Sequence, residues 1–212
     1  MAATPTLEAE QELWADASLV IGMDEVGRGA LAGPVSVGAL ALAADCGAWP
    51  EHLRDSKTMT PLRRASTAPL VRTWGVSAVG HASNDEIDRF GIIAALGLAG
   101  RRALVALHAA GIEVPAAAIL LDGTHDWLAP ALRAPLRTVL RAKADRDCAS
   151  VSGAALVAKV ERDERMVVAD DVHPGYGWAS NKGYGSAVHM AAIDELGPSA
   201  LHRRTWLRAA QP

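Results

Sequence analysis

The chain is poor in the residues that announce several large classes of protein. Among 212 residues there are two cysteines, two tyrosines and one phenylalanine. Cys46 and Cys148 have neither metal-ligand spacing nor a disulfide framework, so the expected compartment is a reducing cytoplasm. The opening residues, M-A-A-T-P-T-L-E-A-E, lack the basic region and apolar core of a secretory signal. No uninterrupted apolar run approaches the ~20 residues of a membrane-spanning helix, so no membrane partner is expected. A formal net charge of −3 argues against a general nucleic-acid coat protein. It leaves room for a nuclease, whose catalytic acids offset local basic patches. There is no internal repeat, low-complexity tract or long linker.

Half of the chain is hydrophobic, enough for one substantial core and a small appended unit. With few aromatics and much alanine, its helices are expected to pack through small side chains. The organising stretch is Leu19 to Pro34, L-V-I-G-M-D-E-V-G-R-G-A-L-A-G-P. Leu19, Val20 and Ile21 form a short apolar run suited to a buried strand. Asp24 and Glu25 follow, then Gly27, Arg28 and Gly29, where the backbone can take positive φ or let a ligand approach closely. Neighbouring strand residues face opposite ways, so the two acids are expected to share a site only if the strand ends or bulges between them. The other reading is a solvated acid pair before an ordinary turn.

A second strand is expected from Pro34 onward and a third over Trp74–His81, with a helix over 61–71 between them. Ser83 and Glu86 have capping-box spacing. The apolar periodicity of Ile92, Leu96, Ala99, Ala103 and Leu107 carries that helix on to a stop at Gly111. Ala117–Leu121 reads as a buried strand ending at Asp122-Gly123, and 136–142 as an edge strand before Asp145. Ser150 or Ser152 is expected to cap a helix running to Met166, and a short helix is expected near 187–196. This order suits an α/β sheet that joins an antiparallel meander to a parallel extension.

Acids at strand ends in such a sheet lie where ligands gather. Asp24, Glu25, Asp122 and Asp145 can therefore converge at one edge. Four converging carboxylates repel one another unless cations neutralise them, and all-oxygen ligation selects Mg²⁺ or Mn²⁺. Taken singly, Asp122 also reads as a turn aspartate before glycine and Asp145 as a helix-start residue.

The motifs G-M-D-E-V-G-R-G-A-L-A-G-P, D-S-K, L-L-D-G, K-A-D with V-S-G-A-A-L-V-A-K-V-E-R-D, N-K-G-Y-G-S and H-R-R-T-W follow one another along the chain. In them the chain resembles bacterial ribonuclease HII, the type 2 ribonucleases H, over about Val20 to Trp206. The resemblance implies a ribonuclease H-like mixed sheet flanked by helices, with a small helical C-terminal part. Residues 1–17 would be an N-terminal extension, 18–170 the catalytic domain and 171–212 a substrate-binding part of that same domain. It implies cleavage of RNA–DNA hybrids, and of duplex DNA 5′ of single embedded ribonucleotides, giving 5′-phosphate and 3′-hydroxyl ends. It further implies two divalent ions, Mn²⁺ or Mg²⁺; the chain is expected to be a monomer.

By the same resemblance, the catalytic and metal-binding acids fall on Asp24, Glu25, Asp122 and Asp145. The substrate-sensing loop falls on Gly27, Arg28 and Gly29, and the junction-sensing tyrosine on Tyr184. Lys57, Lys182, Arg203 and Arg204 are candidate phosphate contacts; each alone also reads as a surface cation. Asn181, Ser186, Ala155 and Trp206 depart from the family's usual His, Thr, Ser and Phe, and none is a metal ligand.

Three rivals fit less well. Gly27-x-Gly29 with Asp45 faintly resembles a dinucleotide fingerprint, but Gly33 is one place too far and Pro34 starts a strand where a helix is required. Leu120-Leu121-Asp122-Gly123-Thr124 resembles the haloacid dehalogenase-like phosphatase motif, yet Leu120 stands where that motif needs its nucleophilic Asp. A non-catalytic hybrid-binding module has no use for four acids.

Overall fold

The computed structural model describes residues 4–207. Helix α1, Glu8–Trp14, leads into strand β1, Leu19–Val26, which turns back as β2, Val35–Ala43. Helix α2, Pro61–Trp74, precedes β3, Val76–Ala82. Two helices, α3 (Asn84–Phe90) and α4 (Ile92–Ala109), carry the chain to β4, Ala117–Asp122, and then β5, Arg137–Arg141. The short α5, Ala144–Asp147, the long α6, Ala149–Val172, the short α7, Trp178–Asn181, and α8, Ala187–Leu196, complete the fold.

The sheet has the order β3-β2-β1-β4-β5. Strands β1, β2 and β3 form an antiparallel meander, and β4 and β5 run parallel to β1. One face packs on α4 through Ile21, Met23, Val37, Leu96, Ala99, Ile119 and Leu107. The other packs on α2 and α6 through Leu40, Leu42, Val71, Ala154 and Val157. Alanine and glycine at these contacts let backbones approach, the outcome expected of an alanine-rich, aromatic-poor chain. At Gly38 a Cβ would press into the backbone of Ala154 and the methyl of Ala158, so glycine there lets α6 lie directly on β2 beside Asp24.

Four local expectations need correction. The helical region after Ser83 is broken: its capping box is present, but α3 ends at Gly91, whose φ of 79° interrupts the helix before α4 begins. Strand β1 does not end or bulge between the two acids; Asp24 pairs with Gly38 and Glu25 with Val37 in unbroken register. Neither Ser150 nor Ser152 caps α6. That helix starts after Cys148 with no side-chain cap of its own. Both serines lie buried in its first turn, where Glu10 from α1 accepts from Ser150 N at 2.8 Å and Ser150 Oγ at 2.6 Å. A carboxylate from another element does the capping, which local spacing does not reveal. Finally, Arg203 is buried rather than facing a duplex, as described below.

Helix α4 is long and apolar enough to cross a membrane by length and composition. Its buried residues face the sheet core, and Arg102 in its middle makes a bidentate pair with Glu86 at 2.8 and 2.7 Å.

Candidate active site

The parallel pairing of β1 with β4 sets the site. Its last paired residues are Met23 and Leu121, so Asp24 and Asp122 each follow the same rung at the carboxyl edge of the sheet. By strand alternation Asp24 faces α6 with Val20 and Gly22, and Glu25 takes the α4 side with Ile21 and Met23. Asp122 Oδ1 accepts from Ala144 N at 2.7 Å and Asp145 N at 3.3 Å. This ties the fourth acid, on α5, to the third. Ser152 Oγ of α6 donates to the Asp145 carbonyl and holds the segment from below.

Asp24 is 6% exposed. Burial, then the charges of Glu25, Asp122 and Asp145, push its carboxyl well above the ordinary range. Asp122 is raised by burial and by Asp145, against the two amides it accepts from. The cation facing this cluster is Lys57, whose Nζ pairs with Asp145. Burial works against the charged ammonium, but Asp145, Asp24 and Asp55 hold it protonated above its usual value. Among the described residues no three acid, histidine or cysteine side chains form a ready-made metal cage. The electrostatic linkage of the four acids reaches further than ligand distance. As donors they still fit a hard divalent cation: oxygen only, strongly like-charged, and one of them deeply buried.

Asp24, Glu25 and Asp122 line a cavity of about 290 Å³ with Gly27, Arg28, Gly29, Lys57, Lys159 and Tyr184. The glycine loop between β1 and β2 forms one wall. Gly27 N donates to Tyr184 Oη at 3.1 Å, and Arg28 pairs with Glu25 at 3.3 Å. Below the loop lie two guanidinium groups, both fully buried. Arg162 of α6 donates to the carbonyls of Pro34 (2.9 Å), Lys182 (3.0 Å) and Ala32 (3.3 Å). Its carbon lies 5.4 Å from the centre of the Tyr184 ring. At Gly27, φ is 82° and a Cβ would collide with the Arg162 side chain, so only glycine fits. Arg203 donates to the carbonyls of Gly27 (2.7 Å), Arg28 (2.8 Å) and Gly33 (3.2 Å). Burial and the neighbouring charge of Arg162 bring its pKa down to about 9.

The structure thus brings together Asp24, Glu25, Asp122, Gly27, Arg28, Gly29, Lys57 and Tyr184, with Asp145 joined through Lys57 and Asp122. Lys182, in left-handed backbone at φ 53°, turns its Nζ onto the Ala179 carbonyl. Arg204 is exposed, its amide held by Asp88 at 2.8 Å. Arg203, expected as a phosphate contact, has no nitrogen free at the surface. Sequence reading passed over Lys159 and Arg162. Ala155, Lys159 and Arg162 recur at i, i+4 and i+7, one helical face, and two cations on a face flanked by small residues was the available signal. Among the residues that differ from the family pattern, Asn181 accepts from Gly183 N at 2.8 Å and donates to Tyr176 O at 2.7 Å. Ser186 caps α8.

A family model described as ribonuclease HII matches residues 21–209. Ribonuclease HII of Streptomyces avermitilis is 44% identical over 204 residues, covering 96% of this chain and 83% of the relative. That of Paracoccus denitrificans is 42% identical over 197 residues, covering 93% and 89%. Among solved structures, the Archaeoglobus fulgidus RNase HII seen in complex with PCNA superposes with TM-score 0.72 at 21% identity, covering 92% of this chain and 98% of that one. Bst-RNase HIII in complex with Mn²⁺ superposes with TM-score 0.66 at 23% identity, covering 92% and 67%.

Proposed function

The chain belongs to the ribonuclease HII family and is a metal-dependent endoribonuclease acting on RNA paired with DNA; from that premise we propose that it cuts RNA–DNA hybrids and duplex DNA on the 5′ side of single embedded ribonucleotides, leaving 5′-phosphate and 3′-hydroxyl ends. The observation that carries this reading is the juxtaposition of the acid cluster with the glycine loop around one cavity. Asp24, Glu25, Asp122 and Asp145 would hold two divalent ions, Mg²⁺ or Mn²⁺. When bound, such a pair supplies an activated water and charge stabilisation for the leaving oxygen of a phosphodiester.

The chain's own residues supply recognition. A 2′-hydroxyl distinguishes RNA from DNA, and the Gly27–Gly29 backbone offers donors to it where side chains would obstruct. Tyr184, hydrogen-bonded to Gly27 N, would stack on the nucleotide at the RNA-to-DNA junction. Lys57 and Arg28 line the cavity, and with Lys182 and Arg204 would contact backbone phosphates, which position a duplex without reading its sequence. Lys57 now pairs with Asp145, and a divalent ion held by that carboxylate would compete with the ammonium for it. A monomer working in the cytoplasm, with residues 171–207 gripping the duplex beside the catalytic sheet, completes the reading.

The test is incubation of the protein with duplex DNA carrying one ribonucleotide, with Mn²⁺, Mg²⁺ or chelator, and mapping of the cut. Metal-dependent incision 5′ of the ribonucleotide is expected. An intact duplex in every condition refutes the reading.

A further inference from the structure

The two guanidiniums beneath the glycine loop have no carboxylate within ion-pair distance among the described residues; their nitrogens meet carbonyl oxygens only. Burying charge in this way is costly unless the geometry it enforces is needed. What Arg203 enforces follows from the planarity of the peptide. In a trans peptide the C=O and the next residue's N–H point in opposite directions. Arg203 Nη2 holds the Gly27 carbonyl inward and Nη1 holds the Arg28 carbonyl inward. The N–H groups of Arg28 and Gly29 are therefore turned outward, and neither donates to any acceptor among the described residues. Both residues are exposed, and both line the cavity that holds the acids.

Glycine peptides are otherwise the easiest in a chain to rotate, so an unheld Gly27-Arg28-Gly29 segment would present its donors only part of the time. Arg203 itself is anchored from both sides. Its amide donates to Leu31 O at 2.8 Å, its guanidinium carbon lies 4.9 Å from the centre of the Trp206 ring, and the preceding residue, His202, bridges to Ala32.

We propose that Arg203 is a positioning residue for ribose recognition, whose planar fork locks the 27–28 and 28–29 peptides with their two free amides facing the substrate. This deepens the reading that the protein senses a 2′-hydroxyl, and it rests on that reading. Charge alone does not suffice for the role. A lysine carries the same charge but cannot span two neighbouring carbonyls with a rigid fork.

The test compares wild type with Arg203→Lys in chelator, where no cleavage competes. Affinities are measured for a duplex containing one ribonucleotide and for the same duplex made wholly of DNA. The ratio of the two dissociation constants is the readout, because general loosening of the fold weakens both alike. Arg203→Lys is expected to cut the wild-type ratio by up to about tenfold, the upper end for a hydrogen bond between neutral groups such as an amide and a hydroxyl, while all-DNA affinity stays close to wild type. A ratio equal to wild type overturns the inference. A wild-type ratio of one overturns instead the reading it rests on.

If Arg203→Lys does not fold, amide NMR of the wild type decides. The Arg28 and Gly29 amide signals are expected to shift with the ribonucleotide duplex and not with the all-DNA duplex, and the Arg203 guanidinium protons are expected to be protected from exchange. Guanidinium protons that exchange as fast as those of a surface arginine refute the lock.

Discussion

Replacing Asp24 by asparagine should make the metal-free protein more stable while abolishing its work. Asp24 is buried, and three other acids raise the free energy of its charged form. Its one intramolecular partner is the Glu25 amide, which donates to Oδ1 at 2.8 Å. Asparagine keeps that acceptor in the same place and removes the charge that Glu25, Asp122 and Asp145 oppose. Relief of strain of this kind at a functional site is worth about 1–2 kcal/mol. For a chain of this size each kcal/mol moves Tm by about 2–4 °C, so Asp24→Asn in chelator is expected to melt about 2–8 °C above wild type.

Metal reverses the order. A ligand at a hundred times its dissociation constant stabilises the folded state by about 2.7 kcal/mol. Titration with Mn²⁺ should therefore raise the wild-type Tm by about 5–11 °C and leave most of that rise missing in the variant. Activity should fall well beyond the ~10–100-fold typical of residues that only support a metal ligand. The assay is thermal unfolding by circular dichroism with and without Mn²⁺, beside a cleavage rate. A variant less stable than wild type in chelator, or one that keeps the full metal-induced rise, refutes the account of a repulsive acid cluster awaiting cations.

Two further perturbations separate recognition from scaffold. Tyr184→Ala removes a stacking surface worth about 1–3 kcal/mol per base; cleavage at single ribonucleotides is expected to drop about tenfold more than cleavage of long hybrids, and equal losses on both substrates refute junction sensing. Glu161 accepts from His81 at 2.8 Å and lies near Arg72 and Arg165, and the His81 hydrogen bond is the leading cause that holds its carboxyl below the ordinary 4.5. An acid with a lowered folded pKa adds stability that is complete above its unfolded pKa and disappears as pH falls through the folded one. Glu161→Gln should therefore lower the denaturant midpoint at pH 7 and narrow its gap to wild type below about pH 4.5, and an unchanged gap at low pH counts against the clasp.

The five strands were legible because their apolar runs are short, separated by turn residues and ordered as a meander followed by two parallel additions. The placing of the acids at one edge was legible for a related reason. Asp24 and Glu25 lie in the last rungs of β1, Asp122 closes β4 and Asp145 follows β5 in α5, an order visible in the sequence even though the end of β1 was misjudged. The break at Gly91 was not, because the apolar periodicity continues across it and a single positive φ leaves no mark in hydrophobic pattern. The capping of α6 was misread because its partner, Glu10, lies 140 positions away from Ser150. Arg203 was misread for a related reason. In sequence an arginine beside a second arginine looks like a basic patch, and only the tertiary fold shows one turned inward onto three carbonyls and the other outward. Composition and spacing report which charges exist, whereas burial decides what they do.

The two centres of the site are opposite in sign: the acids are partly offset by Lys57 on Asp145 and Arg28 on Glu25, while the two buried guanidiniums have no carboxylate partner among the described residues. On one side of the cavity, four acids have Lys57 as the facing cation; on the other, Arg162 and Arg203 place two positive charges behind a loop whose free amides face outward. The separation of sign is maintained by the fold itself, since α6 supplies Arg162 to the loop and Ser152 to the segment of Asp145. A polyanion alone would meet the acids' repulsion, and a divalent cation alone would leave the loop's donors unused. A nucleic acid bringing divalent ions with it satisfies both at once, so each favours the other's binding by the same factor. Helix α6, lying against the sheet on Gly38, touches both centres, and so ties the position of the glycine loop to that of the acids.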